Sequence, residues 1–203
     1  REDPGICQHN CSNTIGGYQC TCPPGYKLGR NGRNCVDINE CISSNIECGP
    51  EKMCFNKRGD VDCIDIPCPE NYSRDPLTKY CVLECIDSSL CPEGAKYADV
   101  IEFRTLALPS GILPQQDLIR LTVFNQNNVK MVKTDFVILE NDTQVTFNLR
   151  PSEGTGILYT EQPLEELETY RIKVRARSYS AETGVLQYQT TFMIHISISA
   201  YPY

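Results

Sequence analysis

Thirteen cysteines lie between Cys7 and Cys91, and none follows. Short Gly- and Pro-rich segments at this density cannot bury enough apolar surface to fold on a core alone. Disulfides formed in an oxidising compartment take over that role. A zinc reading would need Cys and His clustered at ligand spacing. Cys7-Gln8-His9-Asn10-Cys11 is the one such cluster. The chain therefore reads as small disulfide modules followed by a cysteine-free domain.

The stretch Cys35-Val36-Asp37-Ile38-Asn39-Glu40-Cys41 closes one module and opens the next. A hard cation such as Ca²⁺ takes carboxylate, amide and backbone oxygens without strict geometry. Asp37 and Glu40 supply the carboxylates, the backbone between them carbonyls, and Asn56 a further amide. Together with Cys54-Phe55-Asn56-Lys57-Arg58-Gly59-Asp60-Val61-Asp62-Cys63, this stretch resembles the calcium-binding EGF-like module. Val61 stands where that family has Tyr or Phe. The resemblance implies Ca²⁺ as cofactor, held by Asp37, Ile38, Glu40, Asn56 and Lys57. The alternative is that Asp37 and Glu40 are solvated linker charges.

Residues 1–35 are EGF-like in Cys20-Thr21-Cys22 and in the Pro23-Pro24-Gly25-Tyr26 turn. The family pairs its six cysteines first to third, second to fourth and fifth to sixth. On that pattern Cys7 joins Cys20 and Cys22 joins Cys35. Cys11 is left unpaired, its partner expected just before Arg1. Each such closure contributes about 3 kcal/mol in the chain-entropy model. Asn13 fits the family's hydroxylation and calcium pattern, with the acidic half expected upstream. Tyr18 occupies the position from which the family's aromatic packs across the joint. In residues 36–81 the family order gives Cys41–Cys54, Cys48–Cys63 and Cys68–Cys81. Four residues separate Cys63 from Cys68 where an ordinary module has one, so that part of the pairing stays open. Cys85 and Cys91 remain, expected to pair as a staple in a linker over residues 82–96.

From about residue 97 the pattern changes to period two, the mark of half-buried strands. Ile101, Phe103 and Thr105 alternate with charged or polar residues, as do Ile119, Leu121 and Val123, Val145, Phe147 and Leu149, and Ile172, Val174 and Ala176. In the last run, Leu186, Tyr188, Thr190, Phe192, Ile194, Ile196 and Ile198 share a face. The other face takes Gln, Thr, Met, His and Ser, and is expected to tolerate substitution. A run this long calls for a bulge or bend. Short strands between Pro and Gly turns predict an antiparallel β-sandwich over residues 97–203, and a mainly β chain overall. Tyr170 sits where related sandwiches carry a corner tyrosine.

The whole arrangement resembles the fibulin and hemicentin family. The stretched Cys63-Ile-Asp-Ile-Pro-Cys68-Pro and the segments Gln116–Leu121, Glu168–Arg171 and Tyr188–Phe192 carry the resemblance. It implies a noncatalytic, secreted extracellular-matrix glycoprotein whose C-terminal module meets other matrix proteins, with self-association a further expectation. Tyr201-Pro202-Tyr203 directly follows a strand and reads as a natural terminus.

Other motifs compete with blander readings. Arg58-Gly59-Asp60 is a tripeptide that integrins read, but it overlaps the segment expected to fold around calcium. Arg171, Lys173, Arg175 and Arg177 share one strand face, suited to heparan sulfate or to pairing with nearby acids. Asn141 and Asn71 head N-glycosylation sequons, and Asn10 heads a third crowded by Cys11. Net charge is −7 and neither half is basic overall, which argues against nucleic-acid binding. No apolar run reaches membrane-helix length, so no membrane insertion is expected. His9 and His195 are the only histidines, and no nucleophile elbow, phosphate loop or metalloprotease motif accompanies them.

Overall fold

Gly16, at φ +88°, turns the strand β1 (Asn10–Thr14) back on β2 (Gly17–Thr21), a conformation that favours glycine. A second small hairpin follows, β3 (Tyr26–Leu28) with β4 (Cys35–Asp37). This computed structural model describes residues 5–85, 91, 96–125, 127–141 and 145–203. Few residues of the first module are buried, and Cys20, Cys35 and Tyr26 are chief among them. Cystines Cys7–Cys20 and Cys22–Cys35 thus stand in for a core.

The second module opens with one helical turn, Glu40–Ser43, capped by the Asn39 side chain, which accepts from the Ile42 N–H at 3.2 Å. The hairpin β5 (Lys52–Lys57) and β6 (Asp60–Asp65) buries Phe55. Disulfides join Cys41–Cys54, Cys48–Cys63 and Cys68–Cys81. Two short strands end the module, β7 (Ser73–Arg74) and β8 (Cys81–Glu84). Cys85 and Cys91 are bonded, and Ile86–Leu90 between them lie outside the described residues.

β8 does not stop at the module boundary. It pairs with β9 (Tyr97–Leu108), so the strand expected to begin the sandwich is an interior strand of a larger sheet. Strands β10 (Asp117–Thr122), β11 (Thr134–Asn141), β12 (Phe147–Ser152), β13 (Thr155–Thr160), β14 (Thr169–Tyr179) and β15 (Leu186–Ile198) complete the fold. One sheet has six strands in the order β11-β14-β15-β9-β8-β7, and the facing one three, β10-β13-β12. Between them lie Leu121, Phe147, Leu158, Ile172, Val174, Phe192, Ile194 and Ile196, all at most 4% exposed. Tyr170 closes one corner, its hydroxyl accepting from the Glu165 N–H at 3.0 Å while its ring meets Phe147 edge-on.

The chain is mainly β, and two features depart from the sequence expectation. First, β9 and β15 run parallel, the one parallel pair among the strands of the described residues. Second, the outer face of β15 is not open to substitution. Thr191, His195, Ser197 and Ser199 are all under 9% exposed. The disulfide modules fold back toward this side of the sheet. Tyr72 reaches Asp99 beside Thr191, and Tyr26 reaches Ser199. The long run is eased by a register shift between Ser178 and Tyr179, opposite the start of β15.

Candidate metal centre at the module joint

Pairing of β3 with β4 sets Tyr26 opposite Asp37, at the edge of the first module facing the second. Asp37 Oδ1 accepts the Gly59 N–H at 2.6 Å, and its Oδ2 accepts from the Asn56 side-chain amide at 2.7 Å. Asn56 Oδ1 in turn accepts the Glu40 N–H at 3.0 Å. The side chains of Asp37, on a strand end, and Asn56, on a hairpin, are thereby held to each other and to the backbone of the helical turn at Glu40. Glu40 Oε2 is buried with no hydrogen-bond partner among the described residues, a carboxylate oxygen left open to a ligand. Carboxylates and amide and backbone oxygens are the hard-donor chemistry that suits Ca²⁺. Among the described residues, no cluster of three or more His, Cys, Asp and Glu side chains could hold a metal. A site here must therefore use Asn56 and backbone carbonyls beside its two acids.

The aromatic that crosses the joint is Tyr26, not Tyr18. Tyr18 is 39% exposed in the outer hairpin, opposite Asn13, with the Arg33 guanidinium 5.8 Å from its ring centre. Asn13 is exposed as well and lies in that same hairpin, away from the joint. Tyr26 lies directly under Gly59, where an added Cβ would stand 2.5 Å from Tyr26 Cε2. The turn Pro23-Pro24-Gly25-Tyr26 was the available signal. Gly25 holds φ +79°, and a Cβ there would come within 2.1 Å of the Gly59 carbonyl oxygen.

The sandwich reaches the same place. Tyr26 Oη and Ser199 Oγ are hydrogen-bonded at 3.1 Å, and burial raises the Tyr26 pKa, keeping the hydroxyl neutral. The rings of Tyr201 and Tyr203 stack on one another and each meets Tyr26 edge-on at 5.7 Å. Tyr203 Oη lies 3.0 Å from His9 Nδ1, and Tyr201 packs edge-on against the His9 ring. Sequence reasoning did not place this aromatic group, because its members come from opposite ends of the chain.

Arg58-Gly59-Asp60 forms the tip of the β5–β6 hairpin, turned into this joint. Arg58 Nε donates to the Ala107 carbonyl at 3.4 Å, in a cleft also lined by Asp37 and Asn56. Asp60 is paired with Lys57 at 3.0 Å, and that contact with the Val61 N–H holds its carboxyl below the usual range. Arg171, Lys173, Arg175 and Arg177 share the outer face of β14. Lys173 pairs with Glu140 at 2.9 Å and Arg177 Nε donates to Gln189, while Arg175 Nε is buried with no hydrogen-bond partner among the described residues. His195 lies on the same outer face, its pKa lowered by burial and by Arg171. Asn71 and Asn10 are exposed, Asn71 at φ +70°. Asn141 is exposed at the end of β11, and Asp142 and Thr143 of its sequon lie outside the described residues. Cys11 is exposed and free among the described cysteines.

Family models match along the disulfide modules: the EGF-like domain over residues 1–28, the complement Clr-like EGF-like domain over 17–40, and the calcium-binding EGF domain over 37–81. Fold and joint together define a calcium-binding EGF-module protein with a β-sandwich attached. Hemicentin-1 of Homo sapiens is 48% identical over 202 residues, covering 100% of the chain and 4% of that protein. Hemicentin-2 of Mus musculus is 38% identical over 98% of the chain and 4% of its own length. Fibulin-7 of Homo sapiens is 28% identical over 98% of the chain and 46% of its own length. The chain belongs to the fibulin and hemicentin family. It is a secreted extracellular-matrix protein that binds Ca²⁺ through its EGF module, and it spans about 4% of the length of the hemicentins it matches. No helix among the described residues is long and apolar enough to cross a membrane.

Proposed function

We propose that this chain is a noncatalytic assembly unit of the extracellular matrix, in which Ca²⁺ sets the angle between EGF-like modules and so presents the sandwich to matrix proteins. Asp37, Glu40 and Asn56 supply side-chain oxygens, and Ile38 and Lys57 supply carbonyls. The buried, unpartnered Glu40 Oε2 carries this reading, because it marks an oxygen left for a cation. Strand β8 supports it from the other side: the second module is built into the sandwich sheet, so orienting that module orients the sandwich. Calorimetry with Ca²⁺ tests the site. Extracellular modules bind with Kd of about 10⁻⁴–10⁻³ M. Asp37→Ala and Glu40→Ala should each abolish the heat, and undiminished binding in both would remove the linker from the site.

Matrix proteins are the partners this reading calls for, with heparan sulfate on the outer face of β14 as an acidic one. Self-association is open to the same kind of test, by sedimentation of the whole chain with and without Ca²⁺. Integrin binding through Arg58-Gly59-Asp60 draws less support, since Arg58 is engaged at the joint and Asp60 is paired with Lys57 within the hairpin. Cell attachment that is lost on Asp60→Glu with the fold intact would favour it.

A further inference from the structure

The calcium residues and the C-terminal tail are linked through Gly59 and Tyr26. The Ile38 N–H donates to the Gly25 carbonyl at 3.0 Å, and Asp37 accepts from Gly59. Gly59 lies on Tyr26, and Tyr26 is the surface against which Ser199, Tyr201 and Tyr203 pack. The tail is anchored at its other end, because the Ser199 N–H donates to Leu108 O and the Ser110 N–H to Tyr201 O, both at 2.9 Å. Arg58, at the tip of the same hairpin, reaches Ala107 on the strand next to that anchor. Three modules thus meet around Tyr26 and Gly59.

We propose that the Tyr201–Tyr203 tail is a clasp coupled to calcium: metal bound at the joint favours the tail docked on Tyr26, the ring that Gly59 also approaches. This rests on Asp37, Glu40 and Asn56 being the metal residues. Ca²⁺ gathers Asp37 and Asn56 around one centre, which holds Gly59 against Tyr26 and keeps the Tyr26 ring presented to the tail. Loss of the metal loosens the hairpin tip, so the tail loses the ring it packs on and Arg58 loses its registry with Ala107. Coupling between two sites is reciprocal, so a tail that cannot dock must weaken calcium binding by the factor with which calcium favours docking.

The test uses the whole chain. Calcium titrations compare it with Tyr201→Ala/Tyr203→Ala, expected to bind about fivefold more weakly or worse. Hydrogen exchange of the unmodified chain, which depends on no variant folding, should speed up at Ser199, Tyr201 and residues 57–60 when calcium is chelated. Tyr203→Phe, which keeps the ring but not the hydroxyl facing His9, should fall between the other two in affinity. A calcium affinity indifferent to the tyrosines, or tail exchange indifferent to calcium, overturns the coupling while leaving the metal site standing. A chain that takes up no calcium at all overturns both.

Discussion

Tyr72, in the second EGF-like module, donates a 2.8 Å hydrogen bond to Asp99, which pairs with Leu83 where β9 meets β8. Asp99 is 4% exposed and also receives the Val100 N–H and the Thr191 hydroxyl. The contact fastens a disulfide module to the sandwich through a buried acid, where hydrogen bonds must offset the cost of removing a charge from water.

That cost makes stability depend on pH. Burial raises the Asp99 carboxyl above its ordinary range, and burial together with Asp99 pushes the Tyr72 phenol up to about 12. The folded chain therefore holds the Asp99 proton more tightly than the unfolded chain. Stability falls as pH rises from the ordinary carboxylate value of about 4 through the raised folded value, and the loss is complete above it. Asp99→Asn carries no such titration. Urea midpoints measured from about pH 3 to pH 7 should move in favour of the variant as pH rises. Glu102, also raised by burial, is present in both proteins and cancels. A constant gap between the two curves would refute the assignment.

Gly25 and Gly32 offer a matched pair for the joint. Both have positive φ, +79° and +66°, so alanine brings backbone strain of about 1–2 kcal/mol at either. Only at Gly25 does the added Cβ meet the Gly59 backbone, whereas Gly32 opens onto free space. Gly25→Ala should weaken calcium binding and Gly32→Ala should not. Equal effects would mean that the close approach of the modules is not needed by the site.

Alternation along β15 can be tested on both faces. Ile196 is fully buried in the core, and its truncation to Ala should cost about 2–5 kcal/mol. Gln187→Ala, near the strand's open start, should change the melting temperature little. His195→Ala should fall between them, since His195 is 6% exposed. A His195 variant as stable as the unmodified chain would show that the outer face is not packed.

The basic face of β14 predicts salt-sensitive retention on heparin, lost when Arg171, Lys173, Arg175 and Arg177 are all replaced by Ala. Glu140→Gln, which frees Lys173 from its ion pair, should strengthen retention. Unaltered retention in the quadruple variant would assign those cations to the solvated surface alone.

Within the small modules, local chemistry and tertiary structure point the same way. Cysteine order is a strong signal where a closure lies within one small module, as Cys41–Cys54 does, and Asp37, Glu40 and Asn56 fall close together for the same reason. The strands β11 and β13 escaped notice because neither alternates. Thr155–Thr160 is buried on both faces, and Val137 and Leu139 leave apolar side chains on the outward face of β11. Tyr18 and Tyr26 both occur in EGF-like contexts. What separates them is the Tyr26–Asp37 pairing and the Gly25 approach to Gly59, which are spatial facts. The burial of His195 and Ser199 was equally invisible, because modules distant in sequence approach that side of the sheet.

The parallel course of β9 and β15 bears on how this chain carries tension. Nine residue pairs, from Thr190↔Val100 to Ile198↔Leu108, bind the two strands side by side in one direction. A pull that enters β9 from the second module and leaves at the far end of β15 drags the strands lengthwise past each other. Their hydrogen bonds are loaded in shear, all together, instead of opening singly from one end. Single-molecule stretching should accordingly show one abrupt yield for the sandwich, and a gradual lengthening would contradict the geometry. A domain strung this way passes tension on to its neighbours up to a threshold and does not serve as a spring.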